Sequence, residues 1–350
     1  MQILTNATKN IKENTIVQSK RYDNIDVLKG LGIILVLLTH TNAALSWERF
    51  YTAFYMPFFF WASGYLYHNS PGKSFLNKKI KTLIFPYLIA AVGYMVLDFH
   101  RFGFSLTFTK KLLWGVFFYP TTDAMPGYGA ALWFIPCLFV VEVSFWLLQN
   151  TIDKRYHTII VTAVTGLGVI LAEYFSGQIY RLPWCIDTAT MAIGIFYFGY
   201  LCRSFELEKF MLKIKTFPLI ISLFFLSHFC RLNSISMWAN IYGDKFLFLF
   251  NAVSGVVIMD IIVLKIIRCK NNVIVKCMEF FKWIGKYSIY VYLIHSAVIW
   301  GWTYAVCIYI ANARLRNSIL FVATLETSVL FLFLLTRIKE YKNKKGFLNG

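Results

Sequence analysis

Ten apolar stretches recur along the chain, at residues 30–46, 51–68, 83–99, 130–148, 158–175, 185–202, 216–231, 246–264, 288–308 and 318–336. Each is near the ~20 residues that a helix needs to cross a bilayer. In hydrocarbon every backbone N–H and C=O must be paired inside the protein, and a helix does so within one segment. The pattern therefore predicts an all-α polytopic membrane protein, a bundle of about ten transmembrane helices. A composition that is 58% hydrophobic and only 15% charged agrees with that class and with no ordinary soluble fold. No polar block is long enough for a separate soluble domain.

The net charge of +18 would suit nucleic-acid binding if it were gathered on one polar domain. It is distributed by side instead. With the N-terminus inside, 26 of the 35 Lys and Arg residues fall on the inner side and 9 on the outer. The positive-inside rule then predicts both termini in the cytoplasm, with membrane lipids and not nucleic acid as surroundings. Residues 1–20 read as a basic cytoplasmic tail, 21–336 as one membrane domain and 337–350 as a second basic cytoplasmic tail. The first twenty residues lack an apolar core, so the first span is expected to stay as an anchor. The seven cysteines show no CxxC or metal spacing and read as small buried hydrophobes. No metal site is predicted.

The stretch from Arg21 to Asn42, RYDNIDVLKGLGIILVLLTHTN, carries the most chemistry. In a helix Asp26, Lys29, Ile33, Val36 and His40 recur at steps of three and four and share one face. Lys29 and His40 are then separated by roughly 16 Å of rise, a cation at the membrane entrance and an imidazole deep inside. Lipid has no use for either, and ionisable residues within a span mark function or buried pairing. Gly30 and Gly32 would let a neighbouring helix approach closely.

Other spans add candidates. In FYMPFFFWASGYLYH (54–68), Pro57 is expected to kink the helix, and Ser63 and Gly64 thin it. The basic connection that follows holds Lys78 and Lys81, three apart and able to grip one anion or simply to obey the inside-positive bias. Residues 102–129 form the longest outer segment; LLWGVFF (112–118) is too short to span and reads as a lid or an interfacial segment. Glu142, inside ALWFIPCLFVVEVSFWLL, is either catalytic or paired for packing. Ser288, Tyr292 and His295 share a face of the ninth span, where His295 is either a hydrogen-bonded packing residue or a second functional imidazole.

A histidine in a polar pocket can take a proton from a hydroxyl while that oxygen attacks a carbonyl, and its ordinary pKa suits neutral pH. Ser, Thr and Asn beside His40 could set its tautomer. Lysines at the inner mouth suit a phosphorylated donor such as a coenzyme A thioester. No Gly-rich phosphate loop, Ser–His–Asp order or metal-ligand cluster is visible.

Five segments resemble acyltransferase family 3, the membrane O-acyltransferases, most closely the branch with bacterial fucose O-acetylases. They are IDVLKGLGIILVLLTH (25–40), FYMPFFFWASGY (54–65), the basic connection into IFPY (84–87), LWFIPCLF (132–139) and IGKYSIYVYLIH (284–295). The resemblance runs from about residue 21 to 336. It implies that His40 is the catalytic histidine and that Lys29 holds the place of a conserved basic residue. By the same resemblance Ser63, Gly64 and Tyr65 match a Ser-Gly-Tyr element, and Lys78 and Lys81 stand where an Arg-x-x-Arg pair is common. Tyr55 replaces a histidine often found before Met-Pro. The site expected is thus His40, Lys29, Asp26, His295 and Glu142 for chemistry, with Ser63, Gly64, Tyr65, Lys78 and Lys81 for substrate and donor.

The resemblance further implies transfer of acetyl from acetyl-CoA, or of another acyl group, to a hydroxyl of a sugar, polysaccharide or lipid-linked glycan. The acyl-CoA would be a co-substrate and no bound cofactor is expected. The place would be a bacterial inner membrane, multi-pass. The alternative is a non-catalytic carrier of a glycan or lipid-linked intermediate. It would need the bundle and the basic loops but not His40, and the absence of an internal repeat weakens it.

Overall fold

A computed structural model describes residues 22–118, 129–178, 181–306 and 308–348, with the side chains of 129–130 and 342–348 outside the description. The basic tail 1–20 also lies outside the described residues. The chain forms α1 (Asp23–Thr41), α2 (Glu48–Thr52), α3 (Tyr55–Tyr65), α4 (Gly72–Lys79), α5 (Phe85–Phe102), α6 (Leu106–Phe117), α7 (Phe134–Thr151) and α8 (His157–Phe175). It continues through α9 (Ile186–Ser204), α10 (Glu208–Met211), α11 (Thr216–Arg231), α12 (Lys245–Ile266), α13 (Asn272–Lys286), α14 (Ser288–Val306) and α15 (Ala313–Leu348). Among the described residues there is no strand, only an isolated bridge between Ser236 and Ile241. The helix α15 runs on through the segment read as a second tail.

Among the described residues, eight helical segments are long and apolar enough to cross a membrane. Two of the ten predicted spans are not among them. Residues 51–68 divide into α2 and the 11-residue α3, and α11 has 16 residues. The residues from Met56 to Ala62 in α3 are all buried by protein, so their hydropathy reflects a core helix. Hydropathy alone does not distinguish burial by protein from burial by lipid. A helix that the spans omit also appears: α13, charged on one side, starts where the Asn271 side chain accepts from the N–H groups of Val273 and Ile274.

α1 is the axis of the bundle, packed against α3, α12, α13, α14 and α15. Asp23 and Asp26 occupy its first turn, favourable at a helix N-terminus, and Asn42 ends it in the left-handed region with its N–H on Leu38 and Thr39 carbonyls. Its crossing with α13 is built on two glycines. A Cβ on Gly30 would lie 2.0 Å from the Phe281 carbonyl oxygen, and one on Gly285 would lie 1.7 Å from that of Asp26. Lys282 adds a 2.8 Å ion pair to Asp23, and that hydrogen bond holds its ammonium above the usual lysine range. A reciprocal pair joins α3 to α9, where Gly64 faces the Phe196 carbonyl and Gly199 that of Trp61.

Gly285→Ala is therefore expected to destabilise by about 1–3 kcal/mol, because the added methyl meets backbone that cannot move aside. Gly301→Ala, which meets nothing within 4 Å, serves as the control. Thermal unfolding in detergent reads both.

Candidate active site

The last turn of α1 opens His40 into a cavity of about 630 Å³. His40 is exposed, and what it is exposed to is that space. It lies one residue from the end of α1 and beside the middle of α14. The wall includes Thr39, Glu48, Arg49, Tyr55, Trp133, Ser234, Ser236, Trp238, Tyr292 and Ser296. A cleft of this size with a few convergent polar groups among aromatic and apolar ones is what a small ligand or a sugar residue requires.

Behind His40 stands His295, on α14, with ring centroids 4.8 Å apart and planes at 55°. The sequence singled out both residues separately; the packing of α14 on α1 brings them together. His295 is fully buried. Its Nδ1 lies 2.6 Å from the Tyr292 carbonyl oxygen, which can only accept, so Nδ1 carries the proton. Its Nε2 faces the Ser296 hydroxyl at 3.3 Å. His295 is therefore fixed in orientation and tautomer. His40 has no hydrogen-bond partner among the described residues and is free to meet a ligand. The neighbours expected to orient it do other work: Thr39 and Thr41 donate to the Leu35 and Leu37 carbonyls of their own helix. Asn42 closes that helix.

Tyr292 divides this cavity from a second. Its hydroxyl donates to the Ala131 carbonyl and accepts from the Phe134 N–H at 3.3 Å. Its ring lines the His40 cavity on one side and, on the other, a space of about 110 Å³ bounded by Lys29, Ser63 and Ser288. Lys29 is in a 3.0 Å ion pair with Asp26 one turn earlier, so the cation is held at the edge of that space. The polar stripe of α1 thus borders two spaces that share Tyr292 as a wall, Lys29 at one and His40 at the other.

The remaining predicted residues separate by role. Ser63 lines the Lys29 space, whereas Gly64 is spent on the α3–α9 crossing. The Tyr65 hydroxyl donates to Glu208, whose carboxylate also accepts from Asn24 at 3.0 Å. Glu142 is buried in a 2.7 Å ion pair with Lys79, and among the described residues it is not part of the His40 wall. Lys78 is exposed on α4. A π-helical turn at Ile80–Ile84 then re-aims the chain, and Lys81 borders a different, apolar groove. Of the segment 102–129, α6 packs by the Val116 carbonyl onto the Tyr87 hydroxyl at 2.6 Å, and its described residues do not line the His40 cavity. Residues 119–128 lie outside the described residues. Six cysteines are free, four of them buried; Cys307 lies outside the described residues.

Sequence reasoning missed the wall from Ser234 to Trp238. It is held from behind by Arg181, which donates to Asp187 at 2.6 Å, to Thr188 at 2.6 Å and to the Trp238 carbonyl. Asn233 tightens the same loop by donating to the Tyr242 and Asp244 carbonyls, each at 2.9 Å. The sequence signal was a Trp beside serines just after an apolar span, which is too common to single out. Glu48 and Arg49, the first residues of α2, were not singled out by the sequence either.

A family model described as an acyltransferase domain, acyltransferase family 3, matches residues 22–337. No curated protein and no solved structure matches the chain.

Proposed function

The chain belongs to acyltransferase family 3, and from that premise we propose that it is a membrane O-acyltransferase that moves an acyl group, acetyl from acetyl-CoA in the first instance, to a sugar hydroxyl. The observation that carries this reading is the His40–His295 pair at the wall of a polar and aromatic cavity. His40, open to the cavity and without a hydrogen-bond partner among the described residues, acts as general base. It takes the proton of the acceptor hydroxyl as that oxygen attacks the thioester carbonyl. The C–O bond forms, the C–S bond breaks, and the coenzyme A sulfur leaves with the proton that His40 returns. His295, held by the Tyr292 carbonyl and Ser296, positions His40 from behind.

Trp133 and Trp238 in the wall give a sugar ring aromatic surface, and Glu48, Arg49 and Ser236 give partners to its hydroxyls. The acceptor in this reading is a polysaccharide, a glycolipid or a lipid-linked glycan of the envelope of a bacterial cell membrane. Lys29 and Lys78 suit the phosphates of an acyl-CoA that enters from the cytoplasmic end, with Ser63 beside its path. Tyr292, shared by both cavities, stands where the acyl arm would pass. The fucose O-acetylase likeness belongs to the same reading.

Purified protein in vesicles, given acetyl-CoA and extracted envelope glycan, is expected to release free coenzyme A only when glycan is present, and to leave an acetyl mass on the glycan. Release with neither acetyl, succinyl nor another acyl donor would turn the reading toward a carrier.

A further inference from the structure

A groove of about 670 Å³ opens sideways between α5, α14 and α15, distinct from the His40 cavity. Its lining is apolar along most of its length, with Phe85, Ile89, Leu293, Ile294 and Phe331. Polarity is concentrated at one end. Lys81 borders the mouth, and Tyr290 in the lining accepts a hydrogen bond from Lys339 at 2.9 Å. No Asp or Glu lines it among the described residues. An apolar slot with Lys81 in its lining and Lys339 bonded to its Tyr290 complements one kind of occupant: an acyl chain joined to an anionic headgroup.

We infer that this groove binds one anionic phospholipid, an acyl chain along α5 and α14 and its phosphate on Lys81 and Lys339. The site is coupled to the catalytic cavity by α14 itself. Tyr292, Ser296 and Ile299 face the His40 cavity, and Tyr290, Leu293, Ile294 and Ala297 face the groove, two faces of one helix at the same i, i+3, i+4, i+7 spacing. Tyr94 seals the wall between them, donating to the Leu293 carbonyl at 2.9 Å and accepting from the Ala297 N–H at 3.3 Å. A lipid seated in the groove therefore presses on the helix that sets His295 against His40.

Gly93 provides a direct way to fill the slot. It lines the groove, and a Cβ built on it meets nothing within 4 Å. The test is full-length protein reconstituted in nanodiscs of equal phosphatidylglycerol and phosphatidylcholine, then released and weighed by native mass spectrometry. Wild type is expected to retain phosphatidylglycerol over phosphatidylcholine at about one per chain. Gly93→Phe, with unchanged thermal unfolding, is expected to lose it. Lys81→Gln/Lys339→Gln is expected to keep a lipid but to lose at least about fivefold of the preference for the anionic headgroup. The lysine variant carries the test if Gly93→Phe does not fold. Equal retention of the two lipids by wild type, or undiminished phosphatidylglycerol on both variants, overturns the proposal. A lipid-linked glycan in place of phosphatidylglycerol overturns it as well.

Discussion

His40→Ala is expected to lower glycan-dependent coenzyme A release by about 10²–10⁴-fold, the usual contribution of a positioned general base. Stability should stay within about 0.5 kcal/mol, because the ring is exposed to the cavity and no described hydrogen bond is lost. His295→Ala should differ in kind. That ring is fully buried and satisfies the Tyr292 carbonyl, so its removal costs stability as well as rate. Parallel measurement of coenzyme A release and thermal unfolding separates the two roles. Full activity in His40→Ala would remove that imidazole from the chemistry.

The second large effect is one of stability. Lys79→Ala leaves Glu142 as an uncompensated carboxylate in the bundle. Removing one partner of a buried pair costs about 3–5 kcal/mol, and the low end applies here because 20% of the Lys79 side chain remains exposed. Replacing both partners, Lys79→Met with Glu142→Leu, should restore most of the loss, since a well-packed apolar pair avoids the desolvation penalty altogether. Unfolding in detergent measures both variants. A Lys79→Ala protein that is as stable as wild type yet inactive would mean that Glu142 belongs to the chemistry and not to packing.

The parts of this molecule that a local pattern encodes were legible before the structure. The stripe from Asp26 to His40 is a matter of helical spacing, and α1 indeed pairs Asp26 with Lys29 and opens His40 to a cavity. The close approach expected at Gly30 is met by the backbone of α13. What depends on long-range contact was not legible. His40 and His295 meet only because α14 packs on α1. Glu142 was left between chemistry and pairing, and its partner is Lys79, which lies between the two lysines chosen for their spacing. α3 read as a full span because aromatic residues packed against protein have the same hydropathy as those packed against lipid. α13 was hidden by the opposite cause, its charges masking a helix that clasps α1.

In the proposed reaction acyl groups pass from a donor at the Lys29 end of α1 to an acceptor beside His40. Sealed vesicles with uniformly oriented protein test it most directly, with glycan enclosed on the His40 side and radiolabelled acetyl-CoA supplied only at the Lys29 side. The account predicts label on the enclosed glycan, with none in vesicles that contain His40→Ala. Label that appears only when donor and glycan share one side would contradict it.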